Sequence, residues 1–131
     1  MSNPNDKTFL KIEGLDVLIE ELNKIGDEER IEKIKRTALR KAGNLIRDEM
    51  KKEAPVDTGA MKESIRNSVK QRDDGLYAEI KPSRKHYQYK FLELGTTKMQ
   101  ANPFMQRTFE KNKDNAQKII EKEIKQSLLK G

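Results

Sequence analysis

Residues 72–82 read Arg72-Asp73-Asp74-Gly75-Leu76-Tyr77-Ala78-Glu79-Ile80-Lys81-Pro82, and this stretch decides the fold class. Asp73, Asp74 and Gly75 supply turn chemistry, since short acidic side chains bond to nearby backbone and glycine accepts a positive φ. Beyond the turn, Leu76, Ala78 and Ile80 alternate with Tyr77, Glu79 and Lys81, the period-two pattern of a strand with the first set inward. Pro82 stops it, because proline has no amide to donate. Residues 64–71 are the extended partner, so two antiparallel strands are expected mid-chain.

Upstream of the hairpin, residues 54–59 form a loop, with a brief turn at 60–63. Before that loop Ile31, Ile34, Ala38, Ala42, Leu45, Ile46 and Met50 recur at steps of three and four, an amphipathic helix with a charged opposite face. Asp27 can cap its start. It should end before Pro55, since the residue preceding proline is pushed out of the helical region. Gly43 within it costs about 1 kcal/mol relative to alanine. Either another helix approaches closely there or the position is simply tolerated. Leu15, Leu18, Ile19, Leu22 and Ile25 mark a shorter preceding helix, with Gly26 where a left-handed C-terminal cap would sit. Residues 7–13, with Phe9 and Ile12, are at best a short edge strand leading into Gly14.

Downstream, residues 83–86 make a basic connection, after which Tyr87, Tyr89 and Phe91 alternate before Leu92, Glu93, Leu94 and Gly95. A third strand and a short helix both suit that pattern, and periodicity does not decide between them. Asn102-Pro103 is a helix start, a cap residue with proline at the first helical position. Met105, Phe109, Ala116, Ile120, Ile124 and Leu128 mark one face of a long terminal helix ending near Gly131. The order helix, helix, strands, helix predicts an α+β fold in a single domain over residues 1–131, with two to three long helices packed on one face of a small antiparallel β-sheet.

The chain has 131 residues, of which 34% are hydrophobic and 38% charged, so it can build one modest core with wide solvated faces or lean on neighbouring subunits. Cysteine is absent, which removes disulfides, thiolate nucleophiles and cysteine metal sites. The first seven residues are polar, and no stretch approaches the roughly 20 apolar residues that span a bilayer, so a soluble, cytoplasmic protein without a membrane partner is expected. The net charge of +6 invites a nucleic-acid reading, yet the 28 basic residues interleave with 22 acidic ones along the helices, as on ordinary solvated faces. His86 is the only imidazole, and nothing near it resembles a nucleophile elbow. The glycines form no phosphate-cradling loop, and the carboxylates are scattered among cations. No catalytic, cofactor-binding or metal site is expected, and no enzyme activity.

Two stretches are less generic than the rest. One is Ala54-Pro55-Val56-Asp57-Thr58-Gly59-Ala60-Met61-Lys62-Glu63-Ser64-Ile65; the other runs from Tyr89 through Phe91-Leu92-Glu93-Leu94-Gly95-Thr96 to Ala101-Asn102-Pro103-Phe104-Met105 and Phe109. In this order, between two long helices, they make residues 15–109 resemble the phage gene-product-ten family of head-tail joining and tail-completion proteins of long-tailed bacteriophages. The chain departs from that pattern in its bulky basic residues 85–90 and in Leu94, where an aromatic residue is common. The resemblance implies a structural virion protein, assembled in the host bacterial cytoplasm and ending at the neck or tail end. It would form a homo-oligomeric ring, hexameric by the usual tail symmetry, against neighbouring neck and tail proteins, with DNA passing through but not specifically bound.

Pro55 fixes its own φ, Asp57 can accept bonds from the amides after it, and Gly59 permits conformations closed to other residues, which together make a preorganised loop. Pro55, Val56, Asp57, Thr58, Gly59 and Ala60 are candidate subunit or partner contacts, the plain alternative being a connector that caps the next turn. Glu93, Gly95, Thr96, Lys98, Met99, Pro103 and Phe104 are the second candidate set. There the alternatives are a plain surface loop and, for Phe104, Met105 and Phe109, core packing. The rival function is a small basic DNA-binding or regulatory phage protein that uses residues 81–90, with Tyr87 and Tyr89 as stacking side chains.

Overall fold

A computed structural model of the chain describes residues 9–12, 14–54, 59–83, 85, 93–95 and 103–130. Its first helix, α1, spans Asp16–Asn23 and closes through a turn in which Gly26 has a φ of 77°. Asp27 then takes extended angles, and its side chain accepts a hydrogen bond from the Arg30 amide, so α2 begins at the next residue and runs over Glu28–Glu53. Glu28 and Glu29 in its first turn, with Lys51 and Lys52 in its last, complement the helix dipole. Ala54 ends α2 at a ψ of 143°, the extended region that a following proline imposes.

The short helix α3 spans Gly59–Glu63 and leads into strands β2, Arg66–Arg72, and β3, Gly75–Lys81. Arg72 pairs with Gly75, leaving Asp73 and Asp74 as a two-residue turn. Neither aspartate takes a positive φ; the strain falls on Gly75 at 120°, the residue that tolerates it. The third strand comes from the N-terminal side: β1, Phe9–Leu10, pairs antiparallel with β3, giving the order β1-β3-β2. The last helix, α4, spans Phe104–Leu129.

The helices α2 and α4 run antiparallel, since Lys41 meets Glu123 at 2.8 Å and Lys111 meets Glu53 at 3.2 Å. Within this pair α2 lies on β2 and β3, while Gln117 of α4 reaches the sheet at the β1 side by donating to the Lys11 carbonyl at 2.8 Å. The core joins Ile31, Ala38, Ala42, Ile46 and Met50 of α2 to Phe109, Ala116, Ile120 and Ile124 of α4 and to Leu10, Ala78 and Ile80 of the sheet. The α+β class and the two long amphipathic helices are those expected.

Four details differ from the sequence reading. Leu39 is fully buried, whereas Leu45 is half-buried and outside the core cluster, because α2 packs on the sheet and on α4 from two directions. At Gly43 no helix approaches; the Asn67 side chain of β2 lies flat over it, donating to the Arg40 carbonyl at 2.9 Å and to Asn44 Oδ1 at 3.0 Å. Tyr77 and Glu79 sit on the outer sheet face but are only 4% and 8% exposed. Their central strand gives them cover from both sides: Phe9 packs edge-on to Tyr77 at 4.9 Å, and Lys70 and Lys81 close on Glu79. Last, Pro103 occupies the position before the first turn of α4 rather than lying within it, and Asn102 lies outside the described residues, as do His86, Tyr87, Tyr89 and Phe91.

Candidate contact surface at one end of the helix pair

The Glu53 to Lys111 contact sets the register of the long helices. Since α4 begins at Phe104, its first two turns, about 10 Å at 1.5 Å per residue, extend past the end of α2. Ala54, Met61 and Ile65 are buried in the same cluster as Phe104, Met105 and Phe109. The Ser64 hydroxyl donates to the Met61 carbonyl at 2.6 Å and accepts from the Ser83 amide at 3.2 Å, which ties the end of α3 to the exit of β3. The described parts of the two distinctive sequence stretches therefore lie toward the same end of the helix pair.

Helix α4 starts without a capping side chain from Pro103, so its first amides need acceptors from elsewhere. Glu93 provides them. The Met105 amide donates to Glu93 Oε1 at 2.7 Å and the Gln106 amide to Oε2 at 3.5 Å. Burial pushes the Glu93 carboxyl above the usual glutamate range, while these two amides and the Arg107 charge pull the other way without cancelling the shift. In the next turn Thr108 is fully buried and satisfies its hydroxyl by donating to the Phe104 carbonyl at 2.7 Å.

Of the first candidate set, Gly59 and Ala60 are exposed at the start of α3, and Pro55, Val56, Asp57 and Thr58 lie outside the described residues. Of the second, Thr96, Lys98 and Met99 also lie outside them. Gly95 is half-buried with a φ of 76°, and Pro103 is half-buried. Phe104 is fully buried in the core of its own chain and presents no surface, and Glu93 is occupied by the α4 amides. Leu94, which the sequence marked only as a departure from the family pattern and not as a contact, is 56% exposed between Glu93 and Gly95. A lone apolar residue between a carboxylate and a glycine was the available signal.

Cations of the outer sheet face are largely engaged within the chain. Arg72 lies 4.5 Å from the rings of both Phe9 and Tyr77, Lys11 pairs with Asp74, and Lys70 and Lys81 share Glu79. Among the described residues no group of three or more His, Cys, Asp or Glu could hold a metal ion, and no helix is long and apolar enough to cross a membrane.

Over residues 16–95 the chain matches the family model described as "Bacteriophage HK97-gp10, putative tail-component". The chain belongs to the HK97-gp10-like family. The matched span takes in α1, α2, the whole first stretch and the hairpin, and it stops at Gly95, before α4. Comparison with curated proteins and with solved structures gave no match. Membership makes this a member of a phage tail-component family.

Proposed function

We propose that this HK97-gp10-like chain is a structural protein of a tailed phage or prophage that completes the tail or joins it to the head as a ring of identical subunits around the DNA channel. The observation that carries the reading is the placement of the two family-like stretches toward the same end of the helix pair, where Gly59, Ala60 and Leu94 are exposed. Met61, Ile65 and Phe104 are buried in the core, and Ser64 and Glu93 tie the end of α3 to β3 and cap α4, so side chains exposed there stand on packed elements and lose little conformational freedom on docking. Function of this kind is geometric, since a repeated heterologous contact with closure makes a ring whose two faces template the next component.

The chain would assemble in the bacterial cytoplasm and end in the virion neck or tail end, with itself and adjoining neck and tail proteins as partners. Deleting the gene from an inducible prophage tests this. The expected lysate contains filled heads and separate tails that do not infect, and supplying the protein in trans restores joined particles. Complete, infectious particles from the deletion strain would overturn the assembly role.

A further inference from the structure

Arg30, Lys33, Arg40, Arg47 and Lys51 recur along α2 at helical spacing, with Thr37 and Asn44 filling the intermediate positions, so all share one stripe. That stripe points away from the core positions Ile31, Ala42 and Ile46. It runs for about 31 Å at 1.5 Å per residue, with Glu29 near its start and Asp48 near its far end on the same helix face. Of the stripe's own cations Arg47 alone has a carboxylate partner among the described residues, Asp48 at 3.0 Å; Lys33 and Arg40 are exposed and have none there. Two shallow grooves flank the stripe, one lined by Arg30, Lys33 and Thr37 with Glu123, Ser127 and Lys130 of α4, the other by Arg30, Lys33 and Arg40 with Asp27, Glu29 and Glu32.

Carboxylates predominate on α1 and at the start of α2, where they adjoin the first cations of the stripe. Between Asp16 and Glu32 there are seven carboxylates, all exposed, against Lys24 and Arg30. They occupy α1 and the opening turns of α2, the end of the helix pair remote from α3 and Glu93. We infer that the α2 stripe docks on the acidic α1 end of a second copy of this chain. The two patches are different surfaces of one molecule, so the contact is heterologous and propagates from copy to copy until rotation closes it. A second copy is favoured over duplex DNA because the chain itself carries the complementary patch, seven carboxylates against two cations between Asp16 and Glu32. This inference rests on the ring reading above and names its interface.

Purified full-length protein and two charge reversals test it, Lys33→Glu with Arg40→Glu on the stripe and Glu20→Lys with Glu28→Lys on the acidic end. Sedimentation at low ionic strength should show the parent assembling and each reversal needing at least about a tenfold higher concentration. Mixing the two reversals should restore association, as alternating copies. Circular dichroism checks that both fold, and the neutral set, Lys33→Gln with Arg40→Gln and Glu20→Gln with Glu28→Gln, replaces a reversal that does not. If the parent assembles and every variant assembles equally well, this interface is wrong while the ring reading survives. Loss of duplex DNA retention by the stripe variant with assembly intact overturns the interface in favour of phosphate binding. A parent that stays monomeric at every concentration overturns the interface, while the deletion prophage decides the assembly role separately.

Discussion

A Cβ added at Gly43 would lie 2.4 Å from Asn67 Oδ1 and 2.6 Å from its Nδ2, so the amide that caps this contact has to move. Moving it forfeits the bonds to the Arg40 carbonyl and Asn44, worth about 1 kcal/mol each, against about 1 kcal/mol gained in helix propensity. Gly43→Ala should therefore destabilise the chain by roughly 1–2 kcal/mol in urea unfolding once crowding is added. In an Asn67→Ala background the same change should be neutral or stabilising; an equal loss in both backgrounds would refute the contact. Glu93 makes a pH-dependent case. Its carboxyl binds a proton more tightly folded than unfolded, so its contribution is full below the ordinary glutamate range and is lost as pH rises through the raised value. Relative to Glu93→Gln, the parent should gain stability between neutral pH and about pH 4. Glu93→Ala, which removes both acceptors from the α4 amides, should cost about 1 kcal/mol. Parallel pH profiles for the parent and Glu93→Gln would show that the buried carboxyl is not what titrates.

Helix α4 lies outside the family match yet closes the core of the segments inside it. Ile120 is fully buried against α2, whereas Leu129 is 86% exposed at the end of the same helix. Ile120→Ala should cost about 2–5 kcal/mol and Leu129→Ala less than about 0.5 kcal/mol, read as shifts in denaturation midpoint at constant slope. Comparable losses at both sites would mean that α4 is not seated as described. The hairpin shows how local chemistry and tertiary cover divide the work. Aspartates at 73 and 74 with Gly75 specify the turn, while the burial of Tyr77 and Glu79 is decided by their neighbours across the sheet.

For the whole molecule, surface changes at the motif end should separate folding from assembly. Ala60→Arg and Leu94→Asp alter exposed side chains on a packed base, so each should move unfolding free energy by no more than about 0.5 kcal/mol. In complementation of the deletion prophage both should nonetheless yield unjoined heads and tails; normal plaque titres from both would remove this end from the contact surface. The charge distribution belongs to the same scale. Acidic and basic residues alternate along residues 27–35 and share one groove there, whereas cations predominate farther along α2, from Arg40 to Lys52.

Sequence alone determined the classes of element and most of their ends. Asp27, Pro55, Gly26 and the Asp73-Asp74-Gly75 turn act on the backbone within a few residues, and the three-and-four spacing of apolar positions requires only that a helix form. The Pro-Val-Asp-Thr-Gly stretch paired with the Tyr89 to Phe109 stretch, in that order between two long helices, pointed to the family. Only the tertiary structure decided that Asn67 fills the notch at Gly43, that Glu93 caps α4, that Phe104 is core and Leu94 surface, and that the two distinctive stretches share one end. Each of these depends on atoms brought together across ten or more residues of chain, where what a side chain meets is fixed by the packing of whole elements and leaves no periodicity behind.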